Sequence, residues 1–250
     1  MSLTYWGSKK KLAGDIADII CTADARDYYE PFCGMAHVGL EIAKRGCFRK
    51  YQFSDVDDNV ILYLDAILRG WLPPIEPITP AQWNAFRNTR KRSVKRSFYG
   101  MHLGWGGHFL AGTKLHEQRN KTAAYRRVRD RIKRAVSELQ DEDINFHTSS
   151  FHTIRPTTGA VIYCDPPYMS DSVHSERHFN HAQMGALWES MRTWIVRYDC
   201  VVYLSASKRP GPPPGMRTSV VKRWNVTNNS ASMHGGTMRR QELLLRVLVS

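Results

Sequence analysis

Several familiar signatures are missing from this 250-residue sequence, and each absence narrows the range of functions. No apolar run approaches the roughly 20 residues that a helix needs to cross a bilayer, so we expect no membrane segment. The N-terminal residues contain no apolar signal region. The five cysteines include no C-x-x-C pair and show no zinc spacing with the histidines. We therefore expect a cytoplasmic protein with buried, reduced thiols and no metal centre.

The glycine patterns that usually bind nucleotide phosphates are also missing. The chain has neither G-x-x-x-x-G-K-[ST] nor G-x-G-x-x-G at a strand-to-helix junction. Glu30-Pro31-Phe32-Cys33-Gly34 stands at such a junction instead. Gly34 would let a ligand approach the backbone, and the next helix would offer free amides. Taken alone, this segment is a structural turn or a cofactor loop with equal justification.

Positive charge is what the sequence has in excess. Lysine and arginine number 36 and the acids 23, which gives a formal net charge of +13. Such a charge favours a polyanionic partner, and the alternative is a generally basic surface without one. The densest basic stretch is residues 90–96, and a charged helix predicted over residues 125–139 continues this character.

The first third of the chain alternates helices and strands, which predicts an α/β fold with a parallel sheet. Apolar periodicity predicts helices over residues 9–22, 38–43, 58–68, 125–139 and 182–197. Strands are predicted over residues 27–29, 50–53, 144–146, 160–164, 201–204 and 243–249. Residues 70–140 interrupt this pattern with clustered prolines, the basic stretch and a glycine-aromatic segment. We interpret them as an inserted subdomain between 1–69 and 141–250.

Two predicted strands end in acids. Asp55 follows the strand over 50–53 and could accept hydrogen bonds from both hydroxyls of a ribose, although Asp55 or Asp57 could simply cap the next helix. Asp165-Pro166-Pro167-Tyr168 follows the strand over 160–164. Proline stops a strand and stiffens the backbone, so a carboxylate, a free carbonyl and an aromatic ring are held together. Asp165 and the Pro166 carbonyl could accept hydrogen bonds from an exocyclic amine, and Tyr168 could stack on a planar base.

These motifs together resemble the Dam-type DNA adenine-N6 methyltransferases, the D12 class in its alpha arrangement. The likeness runs nearly from end to end. The segments that carry it are YWGSKKKL (5–12), EPFCGMAHVGLEI (30–42), FSDVDDNVI (53–61), SFYGMHLGWGGHF (97–109), IYCDPPYMSDSVHSERHF (162–179) and NNSASMHGGTMRRQELLLRV (228–247). The chain departs from the family pattern at Ser8, Met35 and Ala36, where glycines are usual, and at Ser150, where an aspartate is usual.

The resemblance implies a Rossmann-like class I methyltransferase sheet with an inserted, mostly helical target-recognition subdomain. It also implies S-adenosyl-L-methionine as cofactor and double-stranded DNA as partner. Asp165, Pro166 and Tyr168 would be catalytic and hold a flipped adenine, with Phe179 packing nearby. The cofactor residues would be Tyr5, Trp6, Gly7, Lys9, Phe32, Gly34, Asp55, Phe151 and Asp165.

The DNA contacts are predicted from charge. Lysine and arginine release counterions from DNA, and a tryptophan flanked by glycines could stack or wedge at the duplex. The residues are Arg90, Lys91, Arg92, Lys95, Arg96, Trp105 and Arg126. Within the enzyme class, cytosine-N4, RNA or protein-glutamine methylation are alternatives. Outside it, the alternative is a DNA-binding module without catalysis.

Overall fold

The computed structural model of the chain describes residues 9–103, 109–110, 122–139, 141–167, 179–228 and 238–250. Its strands are β1 (Asp27–Glu30), β2 (Lys50–Asp55), β3 (Asp143–Thr148), β4 (Val161–Cys164), β5 (Val201–Ala206), β6 (Met216–Asn228) and β7 (Met238–Val249). Its helices are α1 (Ala13–Ile20), α2 (His37–Ala43), α3 (Asp58–Leu68), α4 (Pro80–Asn88), α5 (Val94–Leu103), α6 (Thr122–Ser137) and α7 (His181–Tyr198).

The strands form one mixed sheet in the order β3-β2-β1-β4-β5-β7-β6. The first five strands are parallel, and β7 inserts antiparallel between β5 and β6. The chain order reverses between β1 and β4, which makes their carboxyl ends the switch point where α/β sheets bind ligands. The predicted parallel, Rossmann-like sheet is therefore confirmed.

Helices cover both faces of the sheet because the central strands are apolar on both sides. All four residues of β4 are buried, as expected for a strand between two helical layers. One face packs against α1, α2 and α3, and the other against α7. The apolar spacing of Met184, Leu187, Trp188 and Met191 in α7 predicts a core-facing stripe; the last three are buried, and Met184 is partly buried against them.

Local sequence explains where the helices begin. The Asp57 carboxylate accepts a hydrogen bond from the Asn59 amide at 3.1 Å, so Asp57 caps α3 and leaves Asp55 outside the helix. Helix α1 begins at Ala13 rather than at Lys9, the predicted start. The correction matters because Lys9 lies in the turn before α1, where its side chain points to other elements.

Helices α4, α5 and α6 occupy much of the segment predicted as an insertion, and only α6 was predicted. A capping box between Thr79 and Gln82 begins α4. Helices α5 and α6 pack on α3, with Phe98 and Tyr99 of α5 buried in the core that the sheet shares. The division into catalytic and recognition domains stays a prediction.

Two further findings differ from the sequence interpretation. Cys21 and Cys47 form a disulfide that joins the end of α1 to the loop before β2, so the prediction of reduced thiols was wrong for this pair. Cys33, Cys164 and Cys200 are free and buried, as expected. The long strand β6 was not predicted. Among the described residues, no helix is long and apolar enough to span a membrane.

Candidate active site at the carboxyl edge of the sheet

Four acidic side chains converge where β1, β2 and β4 end. Glu30 is the last residue of β1, Asp55 the last of β2, and Asp165 follows β4 directly. Glu242 of the antiparallel β7 lies at the same edge, one residue beyond the pair Ala206–Leu243. The parallel register of β1, β2 and β4 brings these chain-distant residues to the switch point. This edge is where a ligand would bind in a doubly wound fold.

The glycine loop after β1 is held by Asp55. Gly34 adopts φ 46°, a left-handed conformation that glycine tolerates without strain. Its amide donates to Asp55 Oδ2 at 2.9 Å, and the Asp57 amide donates to Oδ1 at 2.9 Å. A carboxylate oxygen can accept more than one hydrogen bond, so these two contacts are compatible with further donors such as ribose hydroxyls. The structure thus brings together the predicted cofactor residues Gly34 and Asp55.

Three aromatic rings cluster beside this loop. The Phe32 ring centroid lies 5.3 Å from that of Phe151 and 5.8 Å from that of Phe179, and the last two are 6.2 Å apart. Phe32 follows β1, Phe151 begins a 3-10 turn after β3, and Phe179 precedes α7. The predicted cofactor residues Phe32 and Phe151 are therefore neighbours. Such a cluster offers apolar faces on which an adenine ring can pack.

Lys9 and Asp165 form a nearly buried ion pair. Lys9 Nζ donates to Asp165 Oδ1 at 2.7 Å and to Oδ2 at 3.0 Å. The side chains are only 5% and 16% exposed, so water screens the attraction weakly. Pro166 is buried behind the carboxylate and keeps the chain extended after β4. Both residues were predicted at the site, but their contact with each other was not.

Glu242 is the site residue that the sequence interpretation missed. Its Oε2 lies 3.7 Å from Lys9 Nζ, and its side chain is 2% exposed. The available indication was an acid directly before the apolar run Leu243-Leu244-Leu245 in a predicted strand. A charged residue next to a buried run usually needs a partner.

The Glu30 carboxyl is buried below the glycine loop. Burial raises the pKa of Glu30 well above its ordinary value, an effect that the hydrogen bond from Tyr28 opposes and nearby Asp165 reinforces. The Tyr28 hydroxyl lies 3.0 Å from Glu30 Oε2. A side chain at Gly39 would place its Cβ 2.2 Å from that same oxygen, so glycine is required there. Glu30 thus packs the base of the loop against α2.

The cysteines near the site are not activated. Burial raises the pKa of Cys33 well above its ordinary value, with nearby Asp55 adding to the effect. Burial likewise raises the pKa of Cys164. A thiol needs a lowered pKa to act as a nucleophile at neutral pH. Cys33 and Cys164 are therefore poorly suited to act as nucleophiles.

The predicted DNA-contacting residues fall into two groups. Arg90, Lys91, Lys95 and Arg126 are exposed. Arg92 and Arg96 make contacts within the protein. Arg92 pairs with Asp58 at 2.5 Å, and the half-buried Arg96 donates to the Phe86 carbonyl at 2.9 Å.

The Arg92 pair locates the basic stretch. Asp58 begins α3 directly after the carboxyl end of β2, so its contact places the stretch beside the candidate site. We name residues 90–96 the basic segment. Predicted site residues outside the described part of the chain are Tyr5, Trp6, Gly7, Trp105 and Tyr168. Within the described part, no group of three or more His, Cys, Asp or Glu residues could hold a metal ion.

The sheet order, with this site at its switch point, is that of a Rossmann-like α/β fold. The chain matches the model of the D12 class N6 adenine-specific DNA methyltransferase family over residues 5–106. The resemblance predicted from the sequence is thus confirmed over the opening motif, the cofactor loop and the segment up to the glycine-aromatic stretch. No curated protein matches the chain.

Solved structures share the fold at low identity. The rRNA methyltransferase aviRa from Streptomyces viridochromogenes is 18% identical, with 95% of this chain and 84% of that chain covered and a TM-score of 0.45. A putative RNA methyltransferase from Pyrococcus horikoshii is 10% identical, with 96% and 84% covered and a TM-score of 0.43. The putative methyltransferase yhhF from Escherichia coli is 10% identical, with 100% and 92% covered and a TM-score of 0.41. These likenesses concern the fold alone.

Proposed function

We propose that this protein methylates the N6 amine of an adenine flipped out of double-stranded DNA, with S-adenosyl-L-methionine as methyl donor. The observation that carries the proposal is the position of Asp165. It follows β4 at the switch point, on the stiff Asp165-Pro166-Pro167 segment and at the same edge as the glycine loop. The match to an adenine-specific DNA methyltransferase family supports the choice of acceptor.

The residues at the edge fit the cofactor. Asp55 has acceptor capacity for ribose hydroxyls, and the ring cluster of Phe32, Phe151 and Phe179 suits an adenine. Gly34 has no side chain, so a cofactor could approach the backbone beside Asp55. When bound, S-adenosyl-L-methionine would supply an electrophilic methyl group on a sulfonium. The protein's task is then to hold the acceptor amine in line with that methyl.

Asp165 and the Pro166 carbonyl would activate the amine. The adenine amine is a poor nucleophile because its lone pair is delocalised into the ring. Hydrogen bonds from its two N–H groups to the Asp165 carboxylate and the Pro166 carbonyl would favour a tetrahedral nitrogen with a localised lone pair. Asp165 accepts from Lys9, and a carboxylate, with about four lone-pair sites, can accept from more than one donor at once. The chemistry needs no covalent enzyme intermediate.

The basic segment would hold the DNA. Arg90, Lys91 and Lys95 are exposed beside the site, so they can contact phosphates without first breaking a described ion pair. An adenine must leave the stack to reach Asp165, because a base inside a duplex is inaccessible to a recessed carboxylate.

The deciding experiment is methyl transfer from labelled S-adenosyl-L-methionine to unmethylated DNA, followed by mass spectrometry of the nucleosides. We expect the label in N6-methyladenine. Label in N4-methylcytosine would keep the enzyme class and overturn the acceptor. Label in RNA or protein alone would overturn DNA as the substrate. Cofactor binding without transfer to DNA, RNA or protein would leave a non-catalytic module.

Replacing Asp165 tests the assigned role. Asp165→Ala removes the acceptor for the amine, and we expect methyl transfer to fall by about 100-fold or more, the usual loss for a group that stabilises the reacting centre. Cofactor binding, measured by calorimetry, should stay within a few-fold. The matched control is Asp141→Ala, an exposed aspartate before β3 at the opposite edge. Wild-type activity in Asp165→Ala would contradict the mechanism.

A further inference from the structure

We propose that Glu242 is a positioning residue that holds the Lys9 ammonium between two carboxylates and so frees Asp165 to receive the acceptor amine. The inference rests on the proposed function for the identity of that amine. The contact between Glu242 and Lys9 is independent of the proposed function and can be tested without any methyl transfer.

Three charged groups form a short row at the sheet edge, with Lys9 and Glu242 buried and Asp165 partly exposed. Lys9 Nζ lies 2.7 Å from Asp165 Oδ1 and 3.7 Å from Glu242 Oε2. The exposed fractions of the side chains are 5%, 16% and 2%, so Asp165 is the member most open to a ligand. Lys9 contacts both acids, and Glu242 lies on its most buried side.

Strand geometry places Glu242 there. Side chains alternate along β7, with Leu243 and Leu245 packed on the α7 face and Leu244 on the face that α1 covers. Glu242 therefore shares the α1 face with Leu244, and Lys9 lies in the turn just before α1.

A second contact fixes α1 to the same hairpin. Trp224 is the β6 partner of Glu242, and its indole Nε1 donates to Asp15 of α1 at 2.8 Å. The hairpin that carries Glu242 is thus fastened to the helix that follows Lys9. Two independent contacts, Trp224 to Asp15 and Glu242 to Lys9, therefore set the distance between the hairpin and the start of α1.

The second carboxylate has a consequence for Asp165. A nearly buried ammonium with one counter-charge would hold that carboxylate tightly, because an unpaired ammonium is strongly disfavoured away from water. With Glu242 beside it, Lys9 keeps a counter-charge while an incoming amine takes up hydrogen bonds to Asp165. Glu242 need not touch the substrate for this effect.

Charge-only variants test the proposal by kinetics. Glu242→Gln keeps the shape and removes the charge, and we expect kcat to fall about tenfold or more while KM for DNA and the cofactor Kd change less than about threefold. Glu242→Asp keeps the charge and should recover most of the loss. Glu138→Gln is the matched control, because it removes the exposed partner of Lys44 at 2.6 Å. That control should behave as wild type.

A chemical readout tests the contact without activity. Reductive methylation followed by Asp-N digestion reports Lys9 against exposed Lys10 and Lys11 in one peptide. We expect Lys9 to react about tenfold more slowly than its neighbours in wild type, as a buried and paired ammonium should. In Glu242→Gln its rate should rise about fivefold, because an ammonium with one counter-charge leaves its buried position more often.

The outcomes separate the two proposals. Equal Lys9 labelling in wild type and Glu242→Gln would overturn the positioning role, whatever the activity. A labelling difference with unchanged kcat would overturn the claim that Glu242 frees Asp165. A wild-type chain that transfers no methyl to DNA but shows the labelling difference would overturn the proposed function and keep the positioning role.

Discussion

Burial shifts the pKa values of single residues in this protein. His102 of α5, away from the candidate site, is an example. Its ring centroid lies 4.4 Å from that of Phe98 and 6.3 Å from that of Tyr63. Burial, together with the smaller effect of nearby Arg131, lowers the pKa of His102 from 6.5 to about 3. The folded state therefore binds fewer protons than the unfolded state between these values. The stabilisation is complete above about pH 6.5 and is lost as the pH falls toward 3.

Replacing this histidine should make the protein less sensitive to acid. Relative to wild type, His102→Leu should gain about 1.4 kcal/mol in the free energy of unfolding for each pH unit below 6.5. Urea unfolding of both proteins at pH 7.5, 5.5 and 4.5 measures the difference. Any packing that the variant loses against Phe98 lowers stability by the same amount at every pH. A difference that does not change with pH would contradict the buried, neutral imidazole.

At the candidate site, the sequence analysis named residues through local motifs and did not reach the contacts between them. Gly34, Asp55 and Phe151 were recognised through motifs that each occupy a few consecutive residues. The Lys9–Asp165 pair joins residues 156 positions apart, and no local pattern encodes which acid a lysine meets. Glu242 was missed for the same reason. The position of Glu242 at the candidate site depends on β7 inserting between β5 and β6, and the alternation of apolar residues does not reveal that strand order.

At the scale of elements, helices with regular apolar spacing were predicted closely. Helix α3 has its predicted bounds of residues 58–68, because its cap and its apolar stripe agree. Helix α4 was hidden by the prolines around it, although Pro80 at its first position favours a helix start. Strand β6 was missed because it is an edge strand with many exposed polar residues and a register shift between Val220 and Lys222. The residues of β6 form a strand because they pair with β7, and not because of their own apolar pattern.

The disulfide between Cys21 and Cys47 is a second contact that fixes the position of α1, in addition to the hydrogen bond from Trp224 to Asp15. It closes a loop with a sequence separation of 26, from the end of α1 to the residues before β2. A chain-entropy estimate for a loop of this size gives about 3–4 kcal/mol of stabilisation. We expect reductant to lower the thermal midpoint of wild type and to leave that of Cys21→Ser/Cys47→Ser unchanged.

Thiol counting after denaturation checks the starting state of that experiment. The oxidised chain should show three reactive thiols, from Cys33, Cys164 and Cys200, and the reduced chain five. Identical midpoints for oxidised and reduced wild type would show that the bond adds no stability to the fold.

Over the whole molecule, the net charge of +13 is informative only through its placement. Arg90, Lys91 and Lys95 lie in the basic segment beside the carboxyl edge. Three other exposed cations lie at the opposite, amino edge, where β1 and β2 begin: Arg26, Arg49 and Lys50. The two triplets carry equal charge at opposite ends of one sheet. They form a matched pair for a test of DNA binding.

Neutralising the two triplets should have unequal effects. Changing Arg90, Lys91 and Lys95 to glutamine should reduce the slope of log K against log salt by about 2–3, since each phosphate contact contributes about 0.9. The loss of affinity should be similar on all DNA sequences. Changing the amino-edge triplet to glutamine should leave the slope close to that of wild type. Equal slopes for the two variants would show that DNA does not bind through the basic segment.

The row of Lys9, Asp165 and Glu242 also bears on when the candidate site is completed during synthesis. Lys9 leaves the ribosome early, Asp165 much later, and Glu242 only when β7 has been made. Until then the hairpin that fastens α1 through Trp224 does not exist, and a nascent chain has the glycine loop but lacks the completed edge. Translation order thus delays completion of this edge, and a chain that ends before β7 has no Glu242 to contact Lys9.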